Sequence, residues 1–247
     1  MITTLFFVVA FIAAAVASVA GFGTATITIP FLAWIIGFKQ AIILIAFFHG
    51  FSNLFKLITL RQSVNVRLML LYGIPSVLTA IAGAYLLDVI APEGIGLGIG
   101  IFLILFAVYS LVNPSRTLPE RNYILVAGGL LSGFTAGLIG MGGAIRGAFL
   151  ISTKIRREMY IATSAAIALC TDIARITTYV ARGNLEPQYY WYIPVIFVIG
   201  FAGTRLGVKL LRRLPEPTVK RVVMVMLLLA SISFILNYLG IIEMGQG

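Results

Sequence analysis

The sequence predicts an all-α integral membrane protein of two inverted-topology repeats. Each repeat is a broken or re-entrant helical hairpin followed by three transmembrane helices. Three observations carry this reading. The 247 residues are 60% hydrophobic and 11% charged, with a mean hydropathy of +1.06, whereas a soluble domain carries about 25% charged residues. Apolar runs long enough to cross hydrocarbon as helices recur from end to end. One ungapped shift of 119 residues superimposes two glycine-rich interruptions and two prolines.

The apolar segments run as follows. A long one extends from Leu5 to Ile36, followed by spans at Ala41–Leu60, Leu68–Leu87 and Ile95–Val112. A second long one extends from Tyr123 to Ile151, followed by Met159–Ala181, Tyr189–Leu210 and Val219–Leu239. Each long segment exceeds a single crossing of ~20 residues by roughly ten. Each is also interrupted: Gly21 to Pro30 in the first, Gly140 to Gly147 in the second. Glycine weakens a helix and Pro30 lacks a backbone donor. Unwound backbone at membrane depth needs cover from protein or a watery cavity, and two half-helices meeting at a tip supply it. The start, Met1 to Ala20, lacks the charged region of a cleavable signal peptide and reads as part of the mature fold.

The shift of 119 brings Gly21 onto Gly140, Gly23 onto Gly142, Ala25 onto Ala144, Asn65 onto Asn184 and Pro75 onto Pro194. It also brings Asn53 onto Asp172 and Lys56 onto Arg175. The chain therefore reads as one transmembrane domain, residues 1–247, with repeats over about 1–115 and 120–240. Weak internal repeats of this kind are common in transporters.

Charge sets the sides. The net charge is +10, but the basic residues cluster in short loops, which fits the positive-inside bias and contact with anionic lipid rather than a nucleic-acid partner. The loops Lys56–Arg67, Asn113–Asn122, Thr153–Glu158 and Lys209–Arg221 are basic and are expected in the cytoplasm. Asp88–Glu93 and Arg182–Glu186 are poor in Lys and Arg and are expected outside. Each long segment must then return to its own side, from opposite faces, with both termini outside the cytoplasmic (inner) membrane. The single cysteine, Cys170, excludes an internal disulfide and a Cys-based metal site, and no metal or cofactor is expected.

The stretches Ala20-Gly21-Phe22-Gly23 with Pro30, and Gly137-Leu138-Ile139-Gly140-Met141-Gly142-Gly143, resemble the TauE/SafE family of sulfite and organosulfonate exporters. The likeness covers nearly the whole chain. Thr24 stands where the family often has a further glycine, and the second break lacks the proline of the first. The resemblance implies transport of sulfite, or of a sulfonate such as sulfoacetate, across the inner membrane.

Arg146 is the sharpest candidate for binding a small anionic substrate. It sits beside Gly142 and Gly143, at the expected tip of the second hairpin, and a guanidinium at membrane depth needs a partner or a function. It can grip a sulfonate or carboxylate with two parallel hydrogen bonds. The glycines Gly21, Gly23, Gly142 and Gly143 would add free N–H groups and the positive ends of half-helices. The competing reading is a shallow hairpin with Arg146 among lipid headgroups. Thr24 and Thr26 could donate to substrate, or bond backbone freed by the break. Asp172 and Arg175 are spaced i,i+3 and read as an internal ion pair; Arg175 is also a candidate for the cavity. Lys56 reads as a cytoplasmic residue reaching for the interface. His49 and Asn53 share a face at i,i+4; Asn53 is a substrate-binding candidate, and His49, with an unperturbed pKa of about 6.5, suits proton coupling alongside Asp172. Glycines at 94, 96, 98 and 100, and at 129, 133 and 137, form small-residue faces for packing within the subunit or in a homodimer.

The function this supports is secondary transport of an anion. A passive anion channel would use similar residues. An intramembrane serine protease would need a nucleophile elbow, and no Gly-x-Ser-x-Gly is present. A metalloprotease needs His-Glu-x-x-His, which a chain with one histidine cannot supply.

Overall fold

A computed structural model of the protein describes residues 25–89, 121–151, 153, 155–211 and 235–242, with single positions between 7 and 11, 97 and 108, and 225 and 233. Gly21, Gly23 and Thr24 lie outside the described residues, as do most of the expected span Ile95–Val112 and about half of Val219–Leu239. The described residues are helical, without a strand. The helices are α1 (Ala25–Ile36), α2 (Phe38–Leu60), α3 (Val66–Leu86), α4 (Asn122–Ile139), α5 (Gly142–Ile151), α6 (Arg157–Ala181) and α7 (Tyr192–Leu211). Four of these segments are long and apolar enough to cross a membrane: Phe38–Ile58, Val66–Leu86, Asn122–Ile139 and Glu158–Ala181. At 1.5 Å per residue, the 21 residues of α3 reach about 30 Å, the depth of a hydrocarbon core.

Helix α3 shows the logic of a fold surrounded by lipid. Its exposed stripe is Val66, Leu70, Ile74 and Leu78, one residue per turn. Its buried face is Leu68, Tyr72, Gly73, Ser76, Ala80, Gly83 and Ala84. The most apolar side chains face outward and the small or hydroxyl-bearing ones face in. Helices in lipid gain little from hydrophobic burial, so close packing of small residues and interhelical hydrogen bonds hold them together. Thr79 on α3 donates to Leu130 O of α4 at 2.8 Å and to Pro75 O at 2.9 Å. Asn65 caps the start of α3 by accepting from Leu68 N at 3.1 Å, as an N-cap asparagine should.

α3 and α4 run parallel in unusually close contact. A Cβ at Gly129 would strike Tyr72 O, one at Gly133 would strike Ser76 O, and one at Gly137 would strike Ala80 O. Only glycine admits a carbonyl at that range. This small-residue face is therefore occupied within the subunit, and a homodimer would need another surface.

α4 ends at Gly140, whose φ of 77° is the left-handed conformation glycine adopts without penalty. Its N–H donates to Ala136 O at 3.0 Å and the Met141 N–H to Thr135 O at 3.3 Å, bonds that close the helix end around a left-handed residue. The chain then folds back as α5 against α4. The interruption is narrower than expected from sequence. It is confined to Gly140 and Met141, and Gly142 to Gly147 are helical. In the first long segment the expected break also shrinks: residues from Ala25 through Pro30 belong to α1, because one proline removes a single hydrogen bond, which membrane helices tolerate. A separate turn, between α1 and α2, falls at Gly37, with φ 79°, between the first long segment and the next expected span.

α2 and α6 run antiparallel. At one end Gln40 Nε2 donates to Asn184 O at 3.2 Å and to Glu186 at 2.9 Å. At the other, Asn65 N donates to Thr163 Oγ1 at 2.9 Å. The loops sort by end as their charge predicts. Asp88 and Arg182 meet at one end, where Asp88 also holds Lys39 at 2.6 Å. Arg67 and Asn122 meet at the opposite end, at 3.0 Å. α3 packs on α6, and α7 packs on α2.

Candidate functional site

The α2–α6 crossing carries a buried polar cluster. His49 Nδ1 lies 2.7 Å from Asp172 Oδ2, and both side chains are buried. Asn53, one turn along α2, places Nδ2 3.1 Å from His49 Nδ1 and 3.5 Å from Asp172 Oδ2. The other carboxylate oxygen, Oδ1, accepts from Arg175 Nε at 2.9 Å, with Arg175 Nη2 at 2.8 Å. Both oxygens of Asp172 are thus engaged, as a buried carboxylate requires. Gly50 faces Asp172 across the crossing, and a Cβ there would meet Asp172 Cβ at an ordinary contact distance of 3.6 Å.

Arg175 has a further task. Its Nη1 donates to Ala136 O at 2.9 Å, and Tyr179 one turn on donates its hydroxyl to Gly137 O. These carbonyls lie at the negative end of α4, where a cation is favoured. The expected i,i+3 pair is present, but its guanidinium is spent on Asp172 and on anchoring the hairpin turn.

Arg146 sits differently. It was expected on an unwound tip; it lies instead on the second turn of α5, and it is buried at 5% exposure. That burial excludes the reading in which it faces lipid headgroups. Its Nε donates to Ser164 Oγ on α6 at 3.0 Å. Among the described residues, no carboxylate lies within ion-pair distance of it. Asp172, Tyr72 and Tyr160 are within its electrostatic reach, as are the cations Arg175 and Lys56. Gly142 and Gly143 form the first turn of α5, whose opening N–H groups lack intrahelical partners. Gly142 is pinned by Ser132, which donates to Gly142 O at 2.9 Å, and a Cβ at Gly142 would strike Ser132 O.

Lys56 corrects an expectation. It was read as an interfacial residue reaching outward, but it is half-buried, lying seven residues past His49 and three past Asn53 on the helix face turned toward α6. Thr26 falls within α1. Sequence reasoning named His49 and Asp172 together as proton-coupling candidates but did not foresee their direct contact. It also missed Ser164, Ser132 and Tyr72. A signal for the pairing existed, because the repeat superimposes Asn53 on Asp172. The hydroxyl residues carry no pattern that distinguishes them from others in apolar helices.

A protein-family model described as sulfite exporter TauE/SafE matches residues 6–234. The chain belongs to the TauE/SafE family. No curated protein and no solved structure matches it. The TauE/SafE match takes in both glycine-rich interruptions, every helix named above, and the His49, Asp172, Arg175 and Arg146 positions. Membership in TauE/SafE makes the chain a membrane protein of a transporter family, and implies export of sulfite or a related anion.

Proposed function

We propose that the protein is a secondary transporter that moves a small anion, sulfite or an organosulfonate such as sulfoacetate, across the cytoplasmic membrane, with Arg146 as the cation that meets it. The carrying observation is the isolation of Arg146: a buried guanidinium held by a serine hydroxyl, with no carboxylate paired to it among the described residues. An uncompensated charge at membrane depth costs several kcal/mol, and a bound anion removes that cost. Its Nη groups suit the two oxygens of a sulfonate or sulfite. The free N–H groups of Gly142 and Gly143 and the positive end of α5 add to the attraction. Asp172 cannot supply the missing charge, because Arg175 and His49 already engage both of its oxygens.

The coupling site of this reading is His49 with Asp172. A proton held between Nδ1 and Oδ2 would change the charge in the same buried cluster that Arg146 faces. Inverted repeats are supported by three pairings: α2 against α6, α3 against α6, and α7 against α2. Exchanging the halves maps the first pairing onto itself and the second onto the third. The basic end would face the cytoplasm and anionic headgroups, with both termini outside.

Purified protein in liposomes tests the reading. Radiolabelled sulfite, sulfoacetate and sulfate should show saturable, gradient-driven flux for at least one anion. Ohmic currents without saturation would favour a passive channel, and loss of flux in Arg146→Ala is required by the site assignment.

A further inference from the structure

Tyr72 is a fully buried phenol whose hydroxyl has no hydrogen-bond partner among the described residues. Such groups are rare, because leaving a buried donor unpaired forfeits its hydration with nothing in return. Its neighbours explain its position but not its orphaned proton. The ring fills the notch left by Gly128 on α4, where a Cβ would come within 2.9 Å of Tyr72 Cε2 and closer to Phe149 of α5. Ser132 is the hydroxyl beside the phenol; it donates to Gly142 O, and its oxygen, which could accept the phenol proton, does not meet the phenol in hydrogen-bond geometry. Arg146 is within electrostatic reach of the tyrosine. Beyond Arg146 is Ser164, which accepts from Arg146 Nε and so keeps its own proton to give.

We infer that Tyr72 on α3 and Ser164 on α6 complete an oxyanion site around Arg146, each donating one hydrogen bond to an oxygen of the same bound sulfonate or sulfite. This rests on the reading of Arg146 as the anion-binding cation. Three helices converge there and offer donors: the Arg146 Nη groups, the Tyr72 phenol and the Ser164 hydroxyl. A ligand with several acceptor oxygens and a negative charge matches all of them at once. A halide, with no separate oxygens, can satisfy the charge but not the geometry. The site should therefore prefer R–SO3⁻ and sulfite to chloride.

The test is binding of methanesulfonate, sulfite and chloride to the purified full chain in nanodiscs, read by calorimetry and by anion-induced shift in melting temperature. Tyr72→Phe should weaken methanesulfonate and sulfite by about tenfold to a hundredfold, the loss of one hydrogen bond to a charged partner. Chloride affinity should not change, and the anion-free melting temperature should hold or rise, because an unpaired donor has been removed. Ser164→Ala should weaken the same two anions in the same direction. If Tyr72→Phe keeps wild-type sulfonate affinity while Arg146→Ala loses it, the inference about Tyr72 fails and the Arg146 reading stands. A lowered anion-free melting temperature with unchanged affinity assigns the phenol a structural bond and overturns the inference. Absence of any anion-induced shift in the wild-type protein removes both.

Discussion

Asn53 and Asp172 lie 119 residues apart in the chain and meet, the Asn53 Nδ2 being 3.5 Å from the Asp172 Oδ2. That separation equals the shift that superimposes the two halves of the sequence. A residue that touches its own counterpart sits beside the axis relating them. The proposed two-fold therefore passes between α2 and α6, through the His49–Asp172–Arg175 cluster. Such a two-fold would bring counterpart residues of the two halves together there. It does not make them equal: one half offers an amide and the other a carboxylate, so the charge on the axis comes from a single side chain.

Arg146→Ala should lower affinity for sulfite or a sulfonate more than a hundredfold, since it removes the charge and its paired donors together. Arg146→Lys should restore attraction but only part of the affinity, because an ammonium lacks the planar fork. Calorimetry on the purified variants measures both. Thermal stability without anion should not fall, as the variant loses a buried charge that has no ionic partner.

Asp172→Asn should be strongly destabilising, by about 3–5 kcal/mol, because it leaves Arg175 buried beside a neutral group. The Arg175→Ala and Asp172→Asn double variant should be more stable than the sum of the single losses implies. Melting temperatures of the four proteins give the cycle, and strict additivity would argue against a shared cluster.

His49→Gln should retain anion binding while losing acceleration of flux by an imposed pH gradient. Liposome flux with and without the gradient separates these effects. A variant that still responds as the wild type does would take the coupling proton away from His49.

Gly133→Ala should loosen the α3–α4 contact, because its Cβ would be driven into Ser76 O. Overpacking of this kind costs about 1–3 kcal/mol. The same change at Gly183, where nothing lies within 4 Å of the added atom, meets only the strain of its φ of 68°. A lower melting temperature for Gly133→Ala, together with a smaller loss at Gly183, checks the packing argument.

Asp88 gives a pH dependence with a definite sign. Burial acts to raise its pKa, but hydrogen bonds from Lys39 and Arg182 outweigh it and hold the carboxyl below its ordinary value of 3.8. A depressed folded-state pKa stabilises the fold above the unfolded value, and that stability is lost as pH falls through the folded one. Asp88→Asn should therefore cost up to about 1 kcal/mol at pH 7, the range for solvent-accessible ion pairs. The difference from wild type should disappear in the acid range below pH 3.8, as paired melting curves across pH would report.

Sequence alone determined whatever local geometry controls. Length and apolarity marked the four membrane-crossing segments. Helical spacing put Arg175 beside Asp172 and Asn53 beside His49. A run of glycines located the turn at Gly140, since only that residue accepts a left-handed φ freely. The tertiary structure decided the rest: that His49 finds Asp172 123 residues away, that Arg175 reaches Ala136 O, that Arg146 is buried against Ser164, and that Tyr72 keeps an unspent proton. The physical reason is that hydrocarbon and protein interior are equally apolar. A hydrophobic pattern therefore does not say which face of a helix meets lipid and which meets a neighbour. That choice is made where small residues let backbones touch, as Gly129, Gly133 and Gly137 of α4 do against α3, and those contacts fix the register that brings distant polar groups together.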